Sequence, residues 1–419
     1  MGSGGWRRRG VIVASVGVVL AGVAVVNHVL APTEVLSTPR TPYGTADTRV
    51  VTGVLGTLTA APLIVDNRLR VYATTRQLWA DQPVGAASVR TPYWSYRRWP
   101  AELTGVVADG TTVVSRWSDR KLVALEVDTG RIAWRATGPD RRDDGYAGRR
   151  TGAATVYAPP GLYIGQARNG GRVLVVAGGS ELRGLDLATG RTLWGVELGG
   201  SCRRSGFTAT SGYFVTVDAC RSPQAVAFHD LATGAVVARW RPAGAGRMVD
   251  LAPVGCVIGR SACPAMRTTS AGKSRGWLLD GVQPAVAPAL DRSDAWLVGD
   301  VVVAAPGLGG GPVTAWSVRT GGELWRRVIP DVERVLAVQP GRIHLLTRSR
   351  GLVTVAPSSG AELSRFPLTY QRDSMDWVAG FAYAGNGFVA VERLRRPVDP
   401  DADDPRYYVD IQPVIFAGT

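Results

Sequence analysis

Four cysteines, Cys202, Cys220, Cys256 and Cys263, are the side chains best suited to covalent or metal chemistry. A structural zinc site wants Cys-x-x-Cys spacing or histidines beside the thiols. None of the four has that spacing, and His28, His229 and His344 are the only histidines. An even cysteine count in a chain that leaves the cytoplasm predicts disulfides instead. Proximity in sequence favours Cys202–Cys220 and Cys256–Cys263 among the three connectivities that four cysteines allow. Asp399, Asp401 and Asp403 alternate as Ca²⁺ ligands would, but an EF-hand needs Gly where Asp404 stands, and a solvated hairpin loop explains the run equally well. Gly272-Lys273-Ser274 ends like a phosphate-binding loop, yet Arg267 occupies the position of the leading Gly and a strand follows, not a helix. Neither His229 nor His344 lies near a Gly-x-Ser-x-Gly elbow. No catalytic residue, cofactor-binding residue or cofactor is expected. Tyr93, Trp94, Tyr96 and Trp99 cluster with Arg97 and Arg98, a mixture that suits either an interaction surface or packing between elements.

The elements that carry these residues are short and repeated. Leu182 to Trp194 alternates apolar and polar residues, turns at Thr189-Gly190 and returns through Trp194, which is a β-hairpin. The phrase recurs with Thr129-Gly130 and Trp134, and again with Thr320-Gly321 and Trp325. Weaker copies turn at Gly234 and Gly360, and Trp277-Leu-Leu-Asp-Gly281 supplies a degenerate one. A unit of about 40 to 47 residues with four short strands is the pattern of a β-propeller blade. The expected fold is therefore all-β, a propeller over 49–419, with the two chain ends sharing one blade. Six units are visible between Arg98 and Pro367, so seven blades are expected, and eight if the N-terminal part makes a whole blade.

Ahead of the repeats, Val11 to Ala31 is an uncharged run of 21 residues, long enough to cross a bilayer as a helix. Arg7, Arg8 and Arg9 precede it, which predicts a cytoplasmic N-terminus at 1–10, a single plasma-membrane span at 11–31 and everything else outside. A cleaved signal peptide is the rival reading, with Pro32 disfavouring cleavage after Ala31. Residues 32–48 read as an extended extracytoplasmic linker. The formal net charge is +14, and Lys121 and Lys273 are the only lysines. No basic run marks a nucleic-acid arm, so the expected partners are the membrane and a protein or cell-envelope component, not nucleic acid.

The recurring Ala/Gly-Leu-Asp-x-x-Thr-Gly-x-x-x-Trp resembles the PQQ-like β-propeller repeat of quinoprotein dehydrogenases and of their non-enzymatic relatives, over about residues 100 to 370. The resemblance implies that Trp134, Trp194 and Trp325 dock blade on blade. It does not carry over the dehydrogenases' chemistry: they are longer and bear a vicinal Cys-Cys pair beside the cofactor, and no two cysteines here are adjacent. The function implied is a membrane-anchored bacterial envelope scaffold without catalysis. A PQQ-dependent dehydrogenase and a carbohydrate or wall-polymer binder are the alternatives, the latter resting on the Tyr93–Trp99 cluster.

Overall fold

Each Thr-Gly phrase folds as an antiparallel hairpin with a one-residue bulge, and the bulge explains the residues around it. In the copy at 181–197, Gly190 takes a φ of +71° and its N–H donates to the Asp186 carbonyl at 2.8 Å. The Asp186 carboxylate accepts from the Thr189 N–H at 2.9 Å and from its hydroxyl at 2.7 Å. Positive φ at the last turn residue is the geometry that favours glycine. The register then slips between Gly184 and Leu185, which brings Trp194 directly opposite Gly184. A Cβ on Gly184 would stand 2.1 Å from the indole, so the ring lies flat across the strand only because that side chain is missing. Ala124 opposite Trp134, Ala315 opposite Trp325 and Ala80 opposite Trp94 repeat the small-residue rule.

The computed structural model describes residues 33–40, 51–66, 69–83, 92–140, 154–197, 206–219, 222–307, 310–369, 376–396, 406 and 408–419. These form eight sheets, the blades of a propeller, joined in chain order. Blade 1 comprises Leu63–Val65, Leu69–Thr74, Gln77–Pro83 and Trp94–Trp99. Blades 2, 3 and 4 start at Leu103, Leu162 and Gly206; blades 5, 6 and 7 start at Asp250, Trp296 and Val332. Blade 8 takes Val378–Gly385, Phe388–Leu394 and Val414–Gly418 from the C-terminus, and Gly53–Leu58 from the N-terminus pairs on its outer side. The shared closing blade is as expected. The first strands of neighbouring blades touch one another, which puts them innermost around the axis.

The core lies between blades. Val114, Leu122 and Trp134 of blade 2 pack with Leu174, Val176 and Leu185 of blade 3, and comparable layers fill the other joints. Strands covered on both faces bury nearly every side chain, as Val173 to Ala177 does, which is why they read as unbroken apolar runs.

Two expectations change. The ring has eight blades, not seven: Leu63–Trp99 builds a complete blade whose outer hairpin lacks a Thr-Gly phrase. The folded domain also starts before residue 49, because Thr33–Ser37, inside the stretch read as a linker, is a fifth strand on the outer edge of blade 1. Its five side chains are all exposed, so nothing in its pattern marks a strand. Among the described residues no helix is long and apolar enough to cross a membrane, and Val11 to Ala31 lies outside them.

Candidate functional site: the ring centre and the outer rim

Four joints are locked in the same way. The ring of Trp134 lies against Gly190 of the next blade and its Nε1 donates to the Leu187 carbonyl at 2.9 Å. Trp194 lies on Gly234 and donates to Leu231 at 2.8 Å, and Trp325 lies on Gly360 and donates to Pro357 at 2.6 Å. Trp94 does the same on Gly130, donating to Val127 at 2.7 Å. The repeat tryptophans are thus joints, as the resemblance implies, and Trp94 joins them. At Thr320-Gly321 no ring from the preceding blade approaches: a Cβ on Gly321 would meet nothing within 4 Å. Blade 5 ends in a two-residue strand, Ala285–Val286, and Leu290 of the following 3-10 turn fills the space beside Gly276.

The centre of the ring is occupied by the chain itself. Cys256 and Cys263 form a disulfide that pinches the hairpin loop between two strands of blade 5. The pinched loop reaches inward across the first strands of its neighbours. Its Gly259 carbonyl accepts from Ala108 of blade 2 at 2.7 Å, and its Arg260 carbonyl accepts from Ile164 of blade 3 at 2.8 Å. Cys263 N–H donates to Thr208 of blade 4 at 2.7 Å, and a Cβ on Gly259 would stand 2.8 Å from Leu63 of blade 1. Ile258 packs against the cluster that holds Tyr72 and Tyr383, linking blades 1 and 8. Arg260 pairs with Asp109 at 2.6 Å, and Arg172 takes the other carboxylate oxygen at 2.8 Å. From beneath, Tyr157 of the one-turn helix Ala154–Tyr157 offers its carbonyl to Gly259 N–H at 2.8 Å, while its hydroxyl donates to Ala61. The loop is a plug.

A pyrroloquinoline quinone, the group the repeat family suggests, does not fit these residues. The plug lies against Leu63 at Gly259, and its backbone is bonded to three blades across the space such a group would need. No step is derived through that group.

The remaining polar groups of the interior are structural in placement. Arg70 and Asp81 form a fully buried two-pronged pair at 2.8 and 3.1 Å within blade 1. His344 contacts Gln339 at 2.8 Å and Thr354 at 3.0 Å, while Gln339 reaches Thr419 and accepts from Gly387 N–H, tying blade 7 to the chain's end in blade 8. Burial, helped by nearby Arg342, lowers the His344 pKa to about 3, so the ring is neutral. His229 is likewise buried, with Nδ1 at 3.1 Å from the Gly234 carbonyl. Among the described residues no group of His, Cys, Asp or Glu could hold a metal ion.

The aromatic cluster splits in two. Trp94 and Tyr96 are buried, the first in its joint and the second edge-on to Trp117 at 5.7 Å, so they cannot present a stacking surface. Of the two readings left open, packing between elements holds for these two, because alternate residues of Trp94–Trp99 face blade 2. Tyr93 is half-buried and Trp99 is exposed on the outer rim, with the Arg76 guanidinium 4.3 Å from the Trp99 ring. Arg98 is buried between Asp119, at 2.8 Å, and Glu34 of the added strand, at 3.2 Å. Partial burial opposes ionisation of Glu34, but the hydrogen bond from Arg135 and the charges of Arg135 and Arg98 hold its carboxyl below the usual range. Sequence reasoning missed this strand altogether.

Of the other expected residues, Cys256–Cys263 is paired as proximity suggested. Cys202, Cys220, Asp399, Asp401 and Asp403 lie outside the described residues. Gly272 and Lys273 sit at a tight hairpin turn between two strands, not at a phosphate loop.

A family described as outer membrane protein assembly factor BamB matches residues 66–262. Among solved structures, the chain is similar to BamB from Moraxella catarrhalis at 16% identity and a TM-score of 0.45, covering 91% of this chain and 99% of that one. It is also similar to the C-terminal WD40 domain of Sif2, at 11% and 0.48 with 90% and 99% covered. A third is the dihydro-heme d1 dehydrogenase NirN in complex with DHE, at 14% and 0.47 with 86% and 73% covered. No curated protein matches the chain. The matched stretch spans blades 1 to 4, where Trp94, Trp134 and Trp194 dock on Gly130, Gly190 and Gly234, and it is similar to the PQQ-like β-propeller repeat.

Proposed function

We propose that this protein is a membrane-tethered, extracytoplasmic propeller that serves the cell envelope as a protein-interaction scaffold and carries out no catalysis. The observation that supports this reading best is the plug. A propeller's natural enclosed space is its central channel. Here Cys256 to Cys263 bridges that space and bonds to blades 2, 3 and 4, so recognition falls to the loops and outer edges of the blades. Two depressions there, of about 290 and 250 Å³, are shallow and fall below or at the edge of the usual range for small-molecule pockets. The family's description as an outer-membrane assembly factor agrees with a scaffold role. The tether rests on the uncharged run Val11 to Ala31 behind three arginines.

The test is calorimetric and kinetic. The purified folded domain, titrated with pyrroloquinoline quinone and Ca²⁺, is expected to give no saturable heat and no turnover of alcohols or aldehydes. Turnover of any substrate by the purified domain, lost in a variant of a single side chain, contradicts the reading.

A further inference from the structure

The added strand Thr33–Ser37 removes the slack that a tether would otherwise provide. Thr33 is paired with Trp99 and Ser37 with Ser95, five residues in continuous register on the outer edge of blade 1. Glu34 clamps the pairing from one face, with Arg98 at 3.2 Å and Arg135 of blade 2 at 2.8 Å. The uncharged run ends at Ala31, two residues before Thr33, and two residues of extended chain reach at most about 7 Å. Whatever surface the run enters therefore lies against blade 1.

The other face of the pairing has the composition of a lipid interface. Opposed residues of an antiparallel pair share a face, which sets Thr33 and Val35 beside Trp99 and Arg97. Val35 is 60% exposed and Trp99 37%, and Arg97 is exposed between them. Thr33, Val35, Arg97, Arg98 and Trp99 line a shallow cleft of about 250 Å³. Tryptophan and arginine gather where hydrocarbon meets headgroups, and juxtamembrane cations are drawn to anionic lipid.

We propose that this face rests on the anionic phospholipid headgroups of the membrane the chain's own N-terminal segment enters, so that the ring stands on edge with blade 1 against the bilayer and blade 5 farthest from it. This rests on reading Val11 to Ala31 as an uncleaved span. The arrangement leaves the loops at both ends of the ring open to a partner.

The full chain, reconstituted in vesicles of phosphatidylglycerol and phosphatidylcholine, tests it with a photo-crosslinking amino acid at Arg97, at Val35 or at Val286 on the outer strand of blade 5. Alkaline carbonate extraction is run alongside. The expected result is a chain that resists extraction and gives a several-fold excess of lipid adduct at 97 and 35 over 286, falling in pure phosphatidylcholine and in Glu34→Ala, which releases the clamp. Adducts equal at 97 and 286 in a chain that resists extraction overturn the orientation and leave the span standing. Release by carbonate, or a mature N-terminus after Ala31, overturns the span and the orientation with it.

Discussion

The indole Nε1 of Trp94 donates to the carbonyl of Val127 at 2.7 Å, a hydrogen bond that leaves one blade and ends in the next. Both residues are buried, and the ring also covers Gly130, whose turn holds that carbonyl in place. Three further joints repeat the arrangement, so the phrase seen in the sequence is the ring's fastening.

Shortening that contact separates its two parts. Trp94→Phe keeps most of the apolar contact but strands a buried carbonyl, which costs about 1–3 kcal/mol. Trp94→Ala also leaves a cavity and is expected to cost about 3–5 kcal/mol. Urea denaturation of the folded domain measures both, and no loss in Trp94→Phe would remove the hydrogen bond from the account.

The turn glycines differ in a way that a paired substitution reveals. Gly190 and Gly321 both have a φ of +71°, so Ala at either pays the same left-handed strain, about 1 kcal/mol. At Gly190 the added methyl also lies 2.5 Å from the Trp134 ring, whereas at Gly321 it meets open space. Gly190→Ala is therefore expected to lower the thermal midpoint well below that of Gly321→Ala in a parallel scan.

Opening the plug's disulfide has a local signature. In the double variant Cys256→Ser and Cys263→Ser, a loop this short gives up about 2–3 kcal/mol of chain-entropy stabilisation. Hydrogen exchange is expected to quicken at Ala108, Ile164 and Gly259, whose amides bond to the loop or from it, and to stay unchanged at the Trp194 joint.

Acid acts through His344. The unfolded chain takes up a proton there near pH 6.5, while the folded ring resists down to about 3 because it is buried. The unfolded state thus binds more protons between those values, and the His344 contribution, complete above 6.5, is lost as pH falls toward 3, at about 1.4 kcal/mol per pH unit. His344→Gln is expected to flatten this part of the stability profile between pH 6.5 and 4.

Much of this fold was legible because a blade fastened by Trp must also show a turn glycine and a small residue opposite the ring. Blade 1 escaped because its docking tryptophan, Trp94, has no Thr-Gly phrase before it, and this left the count one short. The same gap left Trp94 open between an interaction surface and packing. Proximity indicated the Cys256–Cys263 pair, but nothing local shows that the loop it pinches lies on the axis, since its partners Ala108, Ile164 and Thr208 belong to three other blades. Thr33–Ser37 was invisible for a different reason: a strand exposed on every side chain has no alternation to read.

The scaffold reading is tested most directly in cells, by photo-crosslinking amino acids placed one at a time on the outer surface and in the plug. Exposed Met248, Val286, Leu324 and Ile411 sample the outside, and Ile258 samples the centre. Mass spectrometry is predicted to find a protein partner attached at one or more outer positions and none at Ile258. A small-molecule adduct at Ile258, with no protein attached at any outer position, would contradict it.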